Sequence, residues 1–206
     1  MKLANPILIR ICDVALAVVM VAGLAAPMAV IAALIKAEDR GPALFVQRRV
    51  GRNGKPFDIL KFRTMRVDAD AGSGMVEGEG PEALAAARSR FRTTDVNDPR
   101  ITRIGAPLRL MHLDELPQLF NVFAGDMSFV GVRPDTPAQQ ADYDPSYWEE
   151  RHALRPGITG PAQLFNSSNL EERTARERTW LSNPDFVTYW TTLIATVGKV
   201  VKRSGI

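Results

Sequence analysis

Apolar and polar positions divide the chain into segments of different period. Val14 to Ile35 is a run of 22 residues without a charge, flanked by Lys2 and Arg10 before it and Lys36 and Arg40 after it. That is long enough to cross a hydrocarbon core of roughly 30 Å, and longer than a signal-peptide core of roughly 7–15 residues. Pro27 sits near its midpoint, in Gly23-Leu24-Ala25-Ala26-Pro27. A proline cannot donate to the carbonyl four residues back, and it biases Ala26 away from helical angles. Two forms follow: a kinked spanning helix, or a hairpin broken at Ala26-Pro27 that enters and leaves by one face. Positive charge on both flanks favours the second.

After this segment the period shortens. Ala43 to Val50 and Phe57 to Phe62 read as two strands around the turn Gly51-Arg52-Asn53-Gly54-Lys55-Pro56, a β-hairpin. At its end Lys61 and Arg63 share one strand face and Phe62 takes the other. Residues 66–98 are acidic and rich in Gly and Ala. Asp68 and Asp70 lie in an expected solvated loop without EF-hand spacing, and Pro81 to Arg92 is a short helix. Leu116, Leu119, Phe120 and Phe123 predict one buried face of a helix over about 116–123. Gly125 to Gly131 then leads through a short strand to Val132-Arg133-Pro134. Arg155 to Gln163 carries two prolines and two glycines in seven residues, which predicts a loop of fixed shape. Phe186, Trp190, Leu193, Ile194, Val197 and Val201 make an amphipathic stripe that suits either a membrane interface or a core.

Composition adds limits. The 206 residues suit one domain with an appendage, and the net charge of +3 makes no demand for nucleic acid. Cys12 is the single cysteine, so an intrachain disulfide is ruled out. There is no repeat, GxGxxG, Walker loop or Cys/His metal cluster, and two histidines, His112 and His152, do not make a zinc site.

The densest chemistry lies at His112-Leu113-Asp114-Glu115-Leu116-Pro117-Gln118. Pro117 is tolerated only in a helix's first turn, so it places Asp114 and Glu115 at or before a helix N-terminus. There they serve either as a cap with an acidic first turn or as groups for phosphoryl chemistry, by metal binding or direct attack. Arg100, Arg103 and Arg109 precede the pair, and Arg133 follows.

Taken in order, residues 46–65, Arg100 to Arg109, Leu113-Asp114-Glu115-Leu116-Pro117-Gln118-Leu119, Gly125 to Gly131, Arg133-Pro134 and Arg155-Pro156-Gly157-Ile158-Thr159-Gly160 resemble the bacterial sugar transferase family. The short length and single apolar segment are similar to its small monotopic phosphoglycosyl transferases of the PglC type. The resemblance implies an α+β fold, mainly helical, with a Pro-broken re-entrant anchor over 1–40. A cytosolic and interfacial catalytic part with a small hairpin would fill 41–206. It implies transfer of a phospho-sugar from a UDP-sugar, with weak preference for N-acetylhexosamine, to undecaprenyl phosphate. The products would be polyprenyl-diphospho-sugar and UMP, made in two covalent steps with Mg²⁺ on the cytoplasmic face of the bacterial inner membrane. Asp114 matches the nucleophile and Glu115 its acidic partner, the pair tied to the metal. Lys61, Arg63, Arg109, Arg133 and Arg155 match the phosphate and nucleotide positions. Expected partners are membrane lipid and downstream glycosyltransferases, with a homodimer left open; an inactive tethered scaffold is the alternative. Three departures stand out. Ala26 replaces the family's usual serine, His112 its Ser or Thr, and Val132 its proline. Glu177-Arg178-Thr179-Trp180 is the nearest match to a C-terminal Asp-Tyr-Tyr pattern.

Overall fold

A computed structural model describes residues 6–67, 80–90, 98–165 and 169–204. Asp68, Asp70 and the end of the expected helix at Arg92 lie outside them. The first element is α1, Pro6–Asp39, 34 residues and about 51 Å long. It is long and apolar enough to cross a membrane. The helix continues through Pro27, so the interruption expected at Ala26-Pro27 is not a helix end. Packing accounts for the continuity: Met28, one residue on, is buried with Ile35, Phe62 and Leu108. That contact holds the second half in line although Pro27 donates no hydrogen bond.

Both ends of α1 are tied to the same body. Near the start, Arg10 donates to the carbonyls of Val122 (2.6 Å) and Phe123 (2.9 Å). At the far end, Glu38 accepts from the backbone of Arg103 and Ile104, and Asp39 pairs with Arg63. The outward side leaves Ile7, Ile11, Val19 and Val30 exposed.

Strands β1, Leu44–Val50, and β2, Pro56–Phe62, form the expected antiparallel hairpin, Leu44 opposite Phe62 and Val50 opposite Pro56. Its turn uses left-handed backbone at Asn53 (φ 56°) and Gly54 (φ 72°), which Asn and Gly adopt with least strain. Helices α2 (Pro81–Arg90) and α3 (Gly105–Leu110) follow, then α4 (Gln118–Ala124) and the strand β3 (Ser128–Val130). The rest is α5 (Pro145–Arg151), β4 (Gly157–Thr159), α6 (Pro161–Leu164), α7 (Leu170–Ser182) and α8 (Phe186–Ser204).

The expected fixed loop after Arg155 contains β4, which pairs parallel with β3, Ser128 opposite Gly157 and Val130 opposite Thr159. The two chains touch so closely that a Cβ on Gly157 would lie 2.1 Å from the Gly131 nitrogen. Gly157→Ala is therefore expected to destabilise the protein by about 1–3 kcal/mol or more through forced backbone displacement. Thermal unfolding would read it, and an unchanged midpoint would count against this packing.

Two apolar clusters close the body. Ala17, Val122, Met127, Leu181 and Tyr189 are fully buried in the larger, which joins α1, α4, α7 and α8. In α4 the structure corrects the expected inward face. Leu119 and Val122 point in, but Phe120 (43%) and Phe123 (54%) are exposed. The buried amide of Asn121 sets this rotation, accepting from the Leu60 N–H and donating to the Asp58 carbonyl of β2. The stripe of α8 is likewise only partly absorbed. Phe186, Trp190 and Leu193 pack half-buried against the core while Ile194 and Val197 stay exposed, and the fully inward positions are Tyr189 and Thr192, outside the expected stripe.

Candidate active site

Asp114 and Glu115 sit in a 3₁₀ turn, Leu113–Glu115, directly ahead of α4, with Pro117 at the N-cap of that helix. The turn begins at His112, whose left-handed backbone (φ 57°) is uncommon for a residue other than glycine. A tight connection between α3 and α4 thus forces the two carboxylates out beside β2.

Lys61 reaches them from β2. Its Nζ is 2.7 Å from Glu115 Oε1 and 4.0 Å from Asp114 Oδ2. Arg133, in the segment after β3, places Nη2 3.1 Å from the same Glu115 oxygen. Glu115 is therefore held by two cations and Asp114 by none closely. Their acidities separate accordingly. Burial works against the ionised form of Glu115, but Arg133 and Lys61 outweigh it and hold its pKa at about 2. For Asp114 burial wins, raising the pKa against the pull of Lys61 and Arg109. Lys61 is itself lowered, chiefly by burial against the attraction of Glu115. The ion pairs of Glu115 contribute stability in full above about pH 4.5, and lose it as the pH falls toward about 2.

The segment carrying Arg133 is fixed from beneath. Arg151, fully buried, donates Nη2 to the Arg133 carbonyl (2.7 Å) and Nε to Asp135 (2.5 Å), and pairs with Glu177. Arg173 bridges Asp135 (3.1 Å) and Glu177 (3.0 Å), and Tyr147 donates to Glu177 (2.8 Å). Arg49 holds the next carbonyl, that of Pro134, at 2.9 Å. None of Arg49, Asp135, Arg151 or Arg173 stands out in the sequence: apart from the i,i+4 pair Arg173–Glu177, these contacts join residues 16 or more apart in the chain. Glu177, singled out as a departure from a family pattern, is part of this buried support.

The structure brings together Lys61, Arg109, Asp114, Glu115 and Arg133, but it separates the other two predicted cations. Arg63 lies just past the end of β2 and is buried in its ion pair with Asp39 of α1. Arg155 donates to the Gly125 carbonyl (2.7 Å), beyond the C-terminal end of α4, whereas Asp114 precedes its N-terminal end.

A cavity of about 700 Å³ opens beside this cluster. Glu115, Arg133, Arg173, Glu177 and Lys199 are among its charged lining, His112 also borders it, and Leu16, Met20, Leu119, Phe129, Leu193 and Val197 are among its apolar walls. It therefore joins a charged centre to the apolar helices α1 and α8. Among the described residues there is no group of three or more acidic, His or Cys side chains that could cage a metal. Two adjacent carboxylates suit instead an ion such as Mg²⁺, which is bound through one or two carboxylates plus substrate phosphates.

The sequence is similar to those of known proteins over most of its length. A UDP-glucose:undecaprenyl-phosphate glucose-1-phosphate transferase of Caulobacter vibrioides is 45% identical over 75% of the chain and 52% of its own length. One of the same name from Xanthomonas campestris pv. campestris is 39% identical over 81% of the chain and 32% of its own. A UDP-N-acetylgalactosamine-undecaprenyl-phosphate N-acetylgalactosaminephosphotransferase of Aeromonas hydrophila is 36% identical over 75% of the chain and 33% of its own. The chain thus spans about a third to a half of these relatives' lengths. The family model for bacterial sugar transferases matches residues 4–203, nearly end to end, and the chain belongs to that family.

Proposed function

We propose that this protein transfers a phospho-sugar from a UDP-sugar to undecaprenyl phosphate at the cytoplasmic face of the bacterial inner membrane, through a covalent intermediate on Asp114. The observation that carries the reading is the pair of unlike carboxylates. Glu115 is locked by Lys61 and Arg133, while Asp114, next to it, has no close cation. A carboxylate kept out of a tight ion pair, with its pKa raised, retains nucleophilicity.

An Asp114 carboxylate oxygen attacks the β-phosphorus. The bond from that phosphorus to the bridging oxygen breaks, and UMP leaves with the electron pair. The phosphate oxygen of undecaprenyl phosphate then attacks the same phosphorus and Asp114 departs, giving the diphosphate-linked lipid. Lys61, Arg109 and Arg133 offset the charge of the diphosphate in both steps. The Asp114–Glu115 pair would hold Mg²⁺, which when bound supplies further neutralisation of the diphosphate oxygens. The apolar walls of the cavity suit an isoprenoid tail, and both ends of α1 docked on one body favour a re-entrant anchor over a spanning one.

The deciding experiment measures UMP release by solubilised protein with undecaprenyl phosphate and a panel of UDP-sugars. UMP formation that requires the lipid is expected, and silence across the panel would favour a tethered scaffold. The relatives' names divide between glucose and N-acetylgalactosamine, so both belong in the panel beside UDP-N-acetylglucosamine. The pH dependence has a defined sign. Asp114 must be ionised to attack, so the rate of adduct formation falls as the pH drops through its pKa, which lies above the usual aspartate value. Lys61→Met removes a charge that lowers that pKa, so the acid limb should move to higher pH. A limb that stays in place would remove Asp114 from the step.

A further inference from the structure

Four of the groups at the catalytic cluster are direct chain neighbours of residues in one small apolar cluster. Phe62 follows Lys61, Leu108 precedes Arg109, and Leu113 and Leu116 flank Asp114-Glu115. Phe62 and Leu108 are buried at its centre, 3% and 5% exposed, and Leu113 and Leu116 pack half-buried against them. The other half of this cluster comes from α1. Met28 and Ile35 are buried in it, and Leu24, Ile31 and Ala32 pack on it. All but Leu24 lie after Pro27. Side chains in a close-packed interior cannot shift without displacing their neighbours. The backbone that carries Lys61, Arg109, Asp114 and Glu115 is thus seated on the second half of α1.

Polar contacts repeat the pattern. Glu38, exposed in the last turn of α1, accepts from the backbone N–H groups of Arg103 (2.8 Å) and Ile104 (3.2 Å). These two residues stand just ahead of α3, the helix that carries Arg109 and leads into the turn at His112. Asp39, the next residue, pairs with Arg63 just past β2. The end of β2 and the start of α3 are also joined to each other: the Thr102 N–H donates to the Thr64 carbonyl (3.0 Å), and a Cβ on Gly105 would lie 2.2 Å from that carbonyl oxygen. Arg133 is mounted separately, through Arg151 and the buried ion network. The first half of α1 packs elsewhere, with Ile9 and Ala17 in the larger apolar cluster.

We infer that the second half of α1, residues 28–39, positions the active site as well as anchoring the protein, with Ile35 and Glu38 as positioning residues. It sets Lys61, Arg109, Asp114 and Glu115 as one unit against Arg133, which the ion network holds independently. This role builds on the transfer reaction proposed above. There a carboxylate oxygen must meet the phosphorus in line with the leaving group, and a misplacement of about 1 Å can cost on the order of 10²-fold in rate. Loosening the seat therefore slows the chemical step and leaves donor binding largely intact, because neither Ile35 nor Glu38 lines the cavity beside Glu115.

The test compares Glu38→Ala, Glu38→Gln, Ile35→Ala and Ile9→Ala in the detergent-solubilised protein, by backbone hydrogen exchange and by kcat and KM for UMP release. Glu38→Ala is expected to speed exchange over 108–116 but not over 128–135. It should lower kcat on the order of tenfold and leave KM for the donor within about twofold. Glu38→Gln, which keeps an acceptor oxygen, should restore both. Ile35→Ala should act in the same direction as Glu38→Ala and more strongly. Ile9 is as deeply buried on the same helix, so Ile9→Ala should lose a similar midpoint, on the order of 10 °C, yet keep kcat where it is folded. Exchange over 108–116 indifferent to Glu38→Ala, or faster exchange with an unchanged kcat, would overturn the role. So would an Ile9→Ala variant as slow as Ile35→Ala. Glu38 is exposed, so its variants decide the matter if Ile35→Ala does not fold. Were the unsubstituted protein to release no UMP, the transfer reading would fall by itself, and exchange in Glu38→Ala would still decide whether α1 seats the turn.

Discussion

Asp114→Asn is expected to abolish the covalent adduct and to lower turnover on the order of 10⁴-fold or more, the scale seen when a nucleophile is removed from a covalent mechanism. The amide is nearly the same size but cannot displace UMP. The fold should survive. The Asp114 side chain is 14% exposed, its nearest cation is 4.0 Å away, and the shorter Lys61–Glu115 and Arg133–Glu115 pairs remain. Burial already disfavours the charge that the substitution removes. The measurement is labelled phospho-sugar retained on denatured protein, read beside UMP release and the thermal midpoint. Full turnover in a folded Asn variant would exclude covalent catalysis at this position.

Arg151→Met is expected to cost about 3–5 kcal/mol of stability, the scale for stripping one partner from a buried ion network. Arg151 is fully buried, and the carboxylates it serves, Asp135 and Glu177, are 2% and 1% exposed. Its loss would leave two interior anions facing the single cation Arg173. For a chain of this length each kcal/mol shifts the midpoint by about 2–4 °C, so a drop on the order of 10 °C should appear in thermal unfolding. Activity should also fall at temperatures where the variant is folded, because Arg151 holds the carbonyl of Arg133 and so the guanidinium that grips Glu115. Combining Arg151→Met with Asp135→Leu and Glu177→Leu removes the stranded charges along with their partner. That triple variant should recover much of the midpoint and little of the activity. Recovery of both would show that the network stabilises the body without placing Arg133.

Local rules carried much of the reading. The hairpin over 44–62 follows from its apolar strand positions and an Asn-Gly turn, α1 from a long apolar run and α8 from an amphipathic stripe, all signals local in the chain. Pro117 announced the start of α4, because an imide nitrogen fits only the first turn. Partner choice was not local. Arg63 and Lys61 are two residues apart, yet one pairs with Asp39 and the other with Glu115, since the chain leaves the strand between them. Phe120 and Phe123 looked inward by period, but the Asn121 amide, bonded to β2 some sixty residues away, turned them out.

What the sequence determined by itself was the set of elements and the chemical outfit of the centre: an apolar N-terminal helix, a hairpin, and two carboxylates among cations. What the tertiary structure decided was how that outfit is divided. It bound Glu115 to two cations while leaving Asp114 none closer than 4.0 Å, set Arg133 on a buried ion network, and sent Arg155 beyond the C-terminal end of α4. The reason is range. Propensity and period act over a turn or two of backbone, whereas electrostatic partners are chosen by burial and close approach between segments distant in the chain.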